Sequence, residues 1–136
     1  MAYVFTKDLE TGNMMIDQQH KQLIDAINRL LDACAQGKGR SEIEKTMAFM
    51  SDYTVRHFGD EEKLQMQHMY PDYSNHKKYH EAFKQVVREI QTELQQSGPT
   101  VALTAKINMS IAGWLLNHIK KEDVKVAAHI KAKTGK

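Results

Sequence analysis

Seven histidines in 136 residues is a high density, and five of them recur at spacings that helices can use. His57 and Glu61 are four residues apart, as are His76 and His80, so each pair projects from one helical face and can converge on a common centre. His20, His57, His76, His80 and His118 all fall, with Glu61, on stripes otherwise occupied by apolar residues. A lone histidine on such a face is usually a hydrogen-bonded core residue, but five with a carboxylate are costly to bury unless they hold something charged. Metal ligation resolves that conflict. Asp123 follows His118 by five residues, about 140° round an ideal helix. A carboxylate reaching inward from there implies a local π-type turn and suits a bridge to a second metal. Imidazole and carboxylate donors without a thiolate suit iron first, then manganese, with zinc compatible by ligand type.

These residues need four helices to carry them, and the chain has four long periodic segments separated by breakers. The first follows Asp17, read as its N-cap, and runs through His20, Leu23, Ile24, Ile27, Leu30, Leu31 and Cys34 to Gly37. The second opens on a Ser41-x-x-Glu44 capping box and turns Ile43, Met47, Met50, Thr54, His57, Glu61, Leu64 and His68 inward. After Tyr70-Pro71-Asp72 the third places His76, His80, Phe83, Val87, Ile90 and Leu94 on one face and ends before Ser97-Gly98-Pro99. The fourth begins near Thr100, turns Ile107, Ile111, Trp114 and His118 inward and weakens towards Ile130. Short connections favour an all-α, antiparallel up-down-up-down four-helix bundle, which brings the early part of helices one and three level with the late part of helices two and four. The domain expectation is one unit over 1–136: an extended arm at 1–16, the bundle at about 17–130 and a basic, solvated tail at 131–136.

The motifs Asp17-Gln18-Gln19-His20-Lys21, His57-Phe58-x-x-Glu61-Glu62, His76-x-x-x-His80 and Trp114-Leu115-Leu116-x-His118-Ile119-x-x-x-Asp123 resemble those of the hemerythrins in their bacterial form. The resemblance spans about Asp17 to Asp123 and fills all seven ligand positions in order; in the arm, Phe5 stands where bacterial members commonly carry a tryptophan. It implies two irons per chain, one held by His76, His80 and His118 and the other by His20 and His57. Glu61, Asp123 and a solvent-derived oxo or hydroxo group would bridge them. Counting ligands on that basis leaves a vacancy on the second iron, and the implied function is reversible dioxygen binding for storage, delivery or sensing. Leu23, Phe58, Trp114 and Ile119 lie near ligands and are expected to wall the oxygen pocket.

Composition narrows the alternatives. A 41% hydrophobic, 26% charged chain with two prolines is neither disordered nor fibrous, and a net charge of +2 argues for no nucleic-acid partner. No apolar run approaches a membrane span, so no membrane insertion is expected. The only cysteine, Cys34, suits a reducing compartment, and the expected location is the cytoplasm. An oxygen-binding protein outranks a diiron enzyme acting on peroxide or nitric oxide, because ferritin-like enzymes use Glu-x-x-His pairs and none occurs here. A sensor role would need a signalling domain, and delivery an oxygen-using enzyme, as partners outside this sequence. His68 and His129 are expected to be structural or exposed, and Met14, Met15, Met47, Met50, Met66 and Met69 to be packing residues.

Overall fold

The computed structural model describes residues 3–37 and 39–134. Four helices form the bundle: α1 (Met14–Ala35), α2 (Arg40–Gln67), α3 (Tyr73–Ser97) and α4, which spans residues 101–134. α1 packs on α2, α2 on α3, and α4 closes the bundle against both α1 and α3. Each inward stripe is buried at helical spacing. On α3 it is His76, His80, Phe83, Val87, Ile90 and Leu94, and on α2 it is Ile43, Met47, Met50, Thr54, His57 and Glu61. One long apolar cluster fills most of the interior, and a short one of Ile16, Tyr70, Val126 and Ile130 closes the end. Along α1 the buried order is Ile16, His20, Leu23, so a polar layer separates the two clusters.

The helix starts differ from the sequence expectation. α1 begins at Met14, and its N-cap is Asn13, whose side chain accepts a 3.0 Å hydrogen bond from the Ile16 amide. Asp17 instead catches the arm, its Oδ1 accepting from the amide and hydroxyl of Thr11 at 2.9 and 2.7 Å. α2 begins one residue before Ser41, with Gly39 at the cap and no side-chain cap bond, so the Ser41-Glu44 box is not used. Arg40 turns across to the last turn of α3, donating to the carbonyls of Leu94, at 3.0 Å, and Gln95.

The arm is anchored to the bundle surface. Tyr3 and Asn28 exchange two 2.7 Å hydrogen bonds, and the Tyr3 hydroxyl bonds Asn108 on α4. A 3₁₀ turn at Lys7–Leu9 interrupts the expected extended path, buries Leu9 and pairs Asp8 with Lys120 of α4 at 3.2 Å. Residues 1–2 of the arm and 135–136 of the expected tail lie outside the described residues. Residues 131–134, expected in the tail, form the final turn of α4, with exposed side chains.

α4 starts at a Thr100 cap and is continuous but not uniform. Its α segments Val101–Lys106, Trp114–His118 and Val124–Thr134 alternate with π turns at Ile107–Gly113 and Ile119–Asp123, and the junction residues all keep right-handed helical dihedrals. The π turn expected before Asp123 is present. The earlier one was not anticipated; it shifts the register so that Ala112 and Leu115 are buried while Trp114 is half-buried.

Replacing the used cap and the unused one separates the two readings of helix initiation. Asn13→Ala is expected to lower stability by about 1 kcal/mol. Ser41→Ala should stay within about 0.5 kcal/mol of the parent. Urea unfolding followed by circular dichroism measures both, and equal losses would show that the Ser41 box is formed.

Candidate metal centre

The polar layer is built from all four helices. α1 supplies His20, α2 supplies His57 and Glu61, α3 supplies His76 and His80, and α4 supplies His118 and Asp123. Antiparallel packing sets the heights and the i, i+4 spacing sets the pairs on α2 and α3. On α4 the π turn carries Asp123 inward, because residues five apart stack when the helix closes i to i+5. Every one of the seven is buried, His20, His57, Glu61, His76 and His80 completely.

Their donor atoms form two overlapping groups, each with all atoms within 4.8 Å of one another: Glu61, His76, His80, His118 and Asp123 in one, and His20, His57, Glu61 and Asp123 in the other. The carboxylates are oriented across both. Glu61 turns Oε1 to His76 and His80, at 2.7 and 3.2 Å, and Oε2 to His57, at 3.6 Å. Asp123 turns Oδ1 to His76 and His118, at 3.1 and 3.2 Å, and Oδ2 to His20, at 2.8 Å. The Nε2 atoms of His76 and His118 lie 3.1 Å apart.

For several of these atoms close approach does not amount to hydrogen bonding. His20 Nε2, His57 Nε2, His80 Nε2, Glu61 Oε2 and both Asp123 oxygens are buried without a hydrogen-bond partner. Such atoms are expensive to leave unsatisfied, and cations at the two foci would satisfy them together. A nitrogen and oxygen donor set with two shared carboxylates fits two divalent metals of the iron or manganese kind.

In the metal-free protein this crowding polarises the ionisable groups. Burial is the largest influence on each, and it drives His57 down to about 4. At His76 burial acts the same way, but the adjoining Asp123 and Glu61 carboxylates outweigh it and raise the imidazole to about 9. His80 is raised for the same reason, by Glu61 and Glu62 against burial. Burial alone would raise Asp123; its histidine neighbours, His118 first, instead hold it well below the ordinary carboxylate range. Burial and the charge of Asp123 press Glu61 upward, yet His76 and His80 leave it lowered.

A second layer of contacts was not foreseen in the sequence. His57 Nδ1 bonds Gln19 Oε1 at 2.7 Å, and Gln19 Nε2 donates to Asp60 at 2.8 Å. His80 Nδ1 bonds Glu62 at 2.9 Å. Gln19 and Glu62 each adjoin a ligand in sequence and stand in the motifs quoted above, but nothing in the sequence pointed to the histidine each one bonds. Gln65 is fully buried and donates to Glu61 Oε1 at 3.4 Å, so the α2 stripe continues at Gln65 while Leu64 and His68 are only partly buried.

The apolar residues expected around the site are present, with distinct contacts. Leu23, Phe58 and Ile119 are completely buried. Phe58 stacks on His80 with centroids 3.8 Å apart, and Trp114 stacks on His118 at 4.5 Å and on Phe83 at 4.2 Å, so both aromatics back the five-donor group. His68 and His129 are structural: His129 Nε2 donates to the His68 carbonyl at 2.7 Å, and His68 Nδ1 donates to that of Leu64 at 2.9 Å. Met47 and Met50 are core, but Met14, Met66 and Met69 are exposed rather than packed.

Comparison with known proteins agrees with this arrangement. The profile of the Hemerythrin HHE cation binding domain matches residues 11–130. A bacteriohemerythrin of Pseudomonas aeruginosa (strain LESB58) is 38% identical over 120 residues, covering 88% of this chain and 76% of that one. The myohemerythrin of Sipunculus nudus is 27% identical over 123 residues, 90% of this chain and 89% of that one. A crystal structure of wild-type hemerythrin superposes with a TM-score of 0.83 at 30% identity, covering 96% of this chain and 98% of the other.

The opposed histidine shifts predict how the metal-free protein responds to pH. His57, depressed from 6.5 to about 4, contributes stability that is present above pH 6.5 and lost as pH falls towards 4. His76, raised from 6.5 to about 9, contributes stability that is complete below 6.5 and lost as pH rises through 9. The melting temperature of chelator-treated protein should therefore pass through a maximum near pH 6.5. A monotonic rise from acid to alkali would contradict the charge state assigned to His76.

Proposed function

The chain belongs to the hemerythrin family, and we propose that it binds dioxygen reversibly at a pair of irons, in oxygen storage, delivery or sensing. The observation that carries this reading is the inequality of the two donor groups. They share Glu61 and Asp123, but one has three histidines and the other only His20 and His57. With one protein ligand fewer, the metal of the second group would have a coordination position to offer a small exogenous ligand. A pair of irons held by these residues would supply two electrons, the chemistry of reversible dioxygen uptake.

The protein's own residues do the rest. Glu61 and Asp123 belong to both groups and would be shared by the two metals, and their two negative charges would offset part of the metal charge. The five histidines offer Nε2 inward, and the stacked Phe58 and Trp114 hold the His80 and His118 rings in place. We assign Leu23, Phe58, Ile119 and the half-buried Trp114 to the pocket wall, where apolar side chains keep water and protons from the bound ligand. Ile119 has the most direct part, because it follows His118 and opens the π turn that delivers Asp123. No helix among the described residues is long and apolar enough to cross a membrane.

Anaerobic reconstitution with ferrous iron should load a pair of irons per chain, and alternating air and argon should make a visible absorption band appear and fade. A protein that takes up a single zinc and no iron contradicts the reading. Glu61→Ala is expected to lose metal from both positions together, because each uses that carboxylate.

With the same preparation, Ile119→Glu should shorten the life of the oxygenated form by on the order of tenfold or more while circular dichroism stays close to the parent. Equal lifetimes would remove Ile119 from the pocket wall.

A further inference from the structure

Five imidazoles face the centre, yet among the described residues only two of them have an outward Nδ1 bonded to another side chain, and the two partners differ in charge. His80, of the three-histidine group, meets the Glu62 carboxylate at 2.9 Å. His57, of the two-histidine group, meets the Gln19 amide oxygen at 2.7 Å. Nδ1 of His20 and of His76 is buried with no hydrogen-bond partner. Since Nε2 points to the donor cluster, Nδ1 carries the proton in both bonded rings and donates outward.

We propose that Glu62 and Gln19 are positioning residues that make the two metal positions unequal, an anionic acceptor behind His80 enriching the three-histidine position and a neutral one behind His57 leaving the dioxygen-facing position poorer. This rests on the reading of a bound iron pair and adds to it a cause for the division of labour between the irons. A carboxylate acceptor draws the Nδ1 proton away and raises the electron density that Nε2 offers its metal. An amide oxygen has no net charge and does so more weakly.

The surroundings are arranged to keep this difference. The His80 ring is completely buried and clamped face to face by Phe58 with an interplanar angle of 5°, and Glu62 is itself only 12% exposed, so its charge is poorly screened. On the other side a carboxylate is near but held one residue away. Gln19 offers its oxygen to His57 and its Nε2 to Asp60 at 2.8 Å, so the amide stands between the histidine and the charge. That link also fixes the amide orientation, because only the oxygen can accept from His57 while the NH2 donates to Asp60.

The test compares iron-loaded parent, Glu62→Gln, Glu62→Asp and Gln19→Glu for iron content, melting temperature and midpoint potential in a mediator titration. Glu62→Gln should retain its iron and shift the midpoint to a more positive value, Glu62→Asp should restore it towards the parent, and Gln19→Glu should move it to a more negative one. Rates of iron release to a chelator should rise in Glu62→Gln by between about 10- and 100-fold. A fully loaded Glu62→Gln with the parental midpoint overturns the proposal. If that variant loses its iron, Gln19→Glu decides alone, and an unchanged or more positive midpoint there overturns it. A parent that binds no iron pair defeats the oxygen-binding reading itself, whereas a parent that binds iron and oxygen normally while its variants keep one midpoint defeats only this inference.

Discussion

Two carboxylates and five imidazoles buried at one level of a four-helix bundle is the constraint on which the structure depends. Removing a carboxylate from water costs several kcal/mol unless positive charge and hydrogen bonds replace the solvent. Glu61 and Asp123 are both essentially inaccessible, and their neighbours leave several of the donor atoms around them without hydrogen bonds. The interior is therefore organised for cations. An apolar bundle of this length would be easier to fold, and the seven polar side chains are tolerated because a long apolar cluster on one side and Ile16, Tyr70, Val126 and Ile130 on the other supply the burial that offsets them.

The fourth helix shows how the backbone yields to that demand. A regular α-helix could present His118 inward or Asp123 inward, but not both on one face. The π turn at Ile119–Asp123 removes the conflict, and the arm contacts the same stretch through the Asp8–Lys120 pair. The earlier π turn at Ile107–Gly113 contains Asn108, which the arm also contacts through Tyr3. The arm thus lies against both irregular stretches of α4.

Around the donors the aromatic side chains do positional work. Phe83 supports Trp114, Trp114 stacks on His118, and Phe58 stacks on His80, so rings that would otherwise rotate about χ2 are held with Nε2 inward. Gln19 and Glu62 complete the restraint from behind. A donor set held this way is preorganised to hold metal.

Much of this was legible in the sequence because helical periodicity is local. The 4-3-4-3 stripes placed His57, Glu61, His76 and His80 on buried faces, and the five-residue step from His118 to Asp123 announced a π turn. Antiparallel topology followed from short connections and put the ligands at one height. What the sequence could not decide depended on partners distant in the chain. Whether Asn13 or Asp17 capped α1 turned on where the arm ran, since Asp17 is engaged by Thr11. Capping preference is a local rule, so it could not register that contact. The choice of Oε1 or Oε2 by each histidine, the stack of Phe58 on His80, and the carboxylate behind one ring against the amide behind another arise only when four helices fix side-chain directions in three dimensions. Spacing along one helix specifies which face a residue occupies; what lies opposite that face is set by packing.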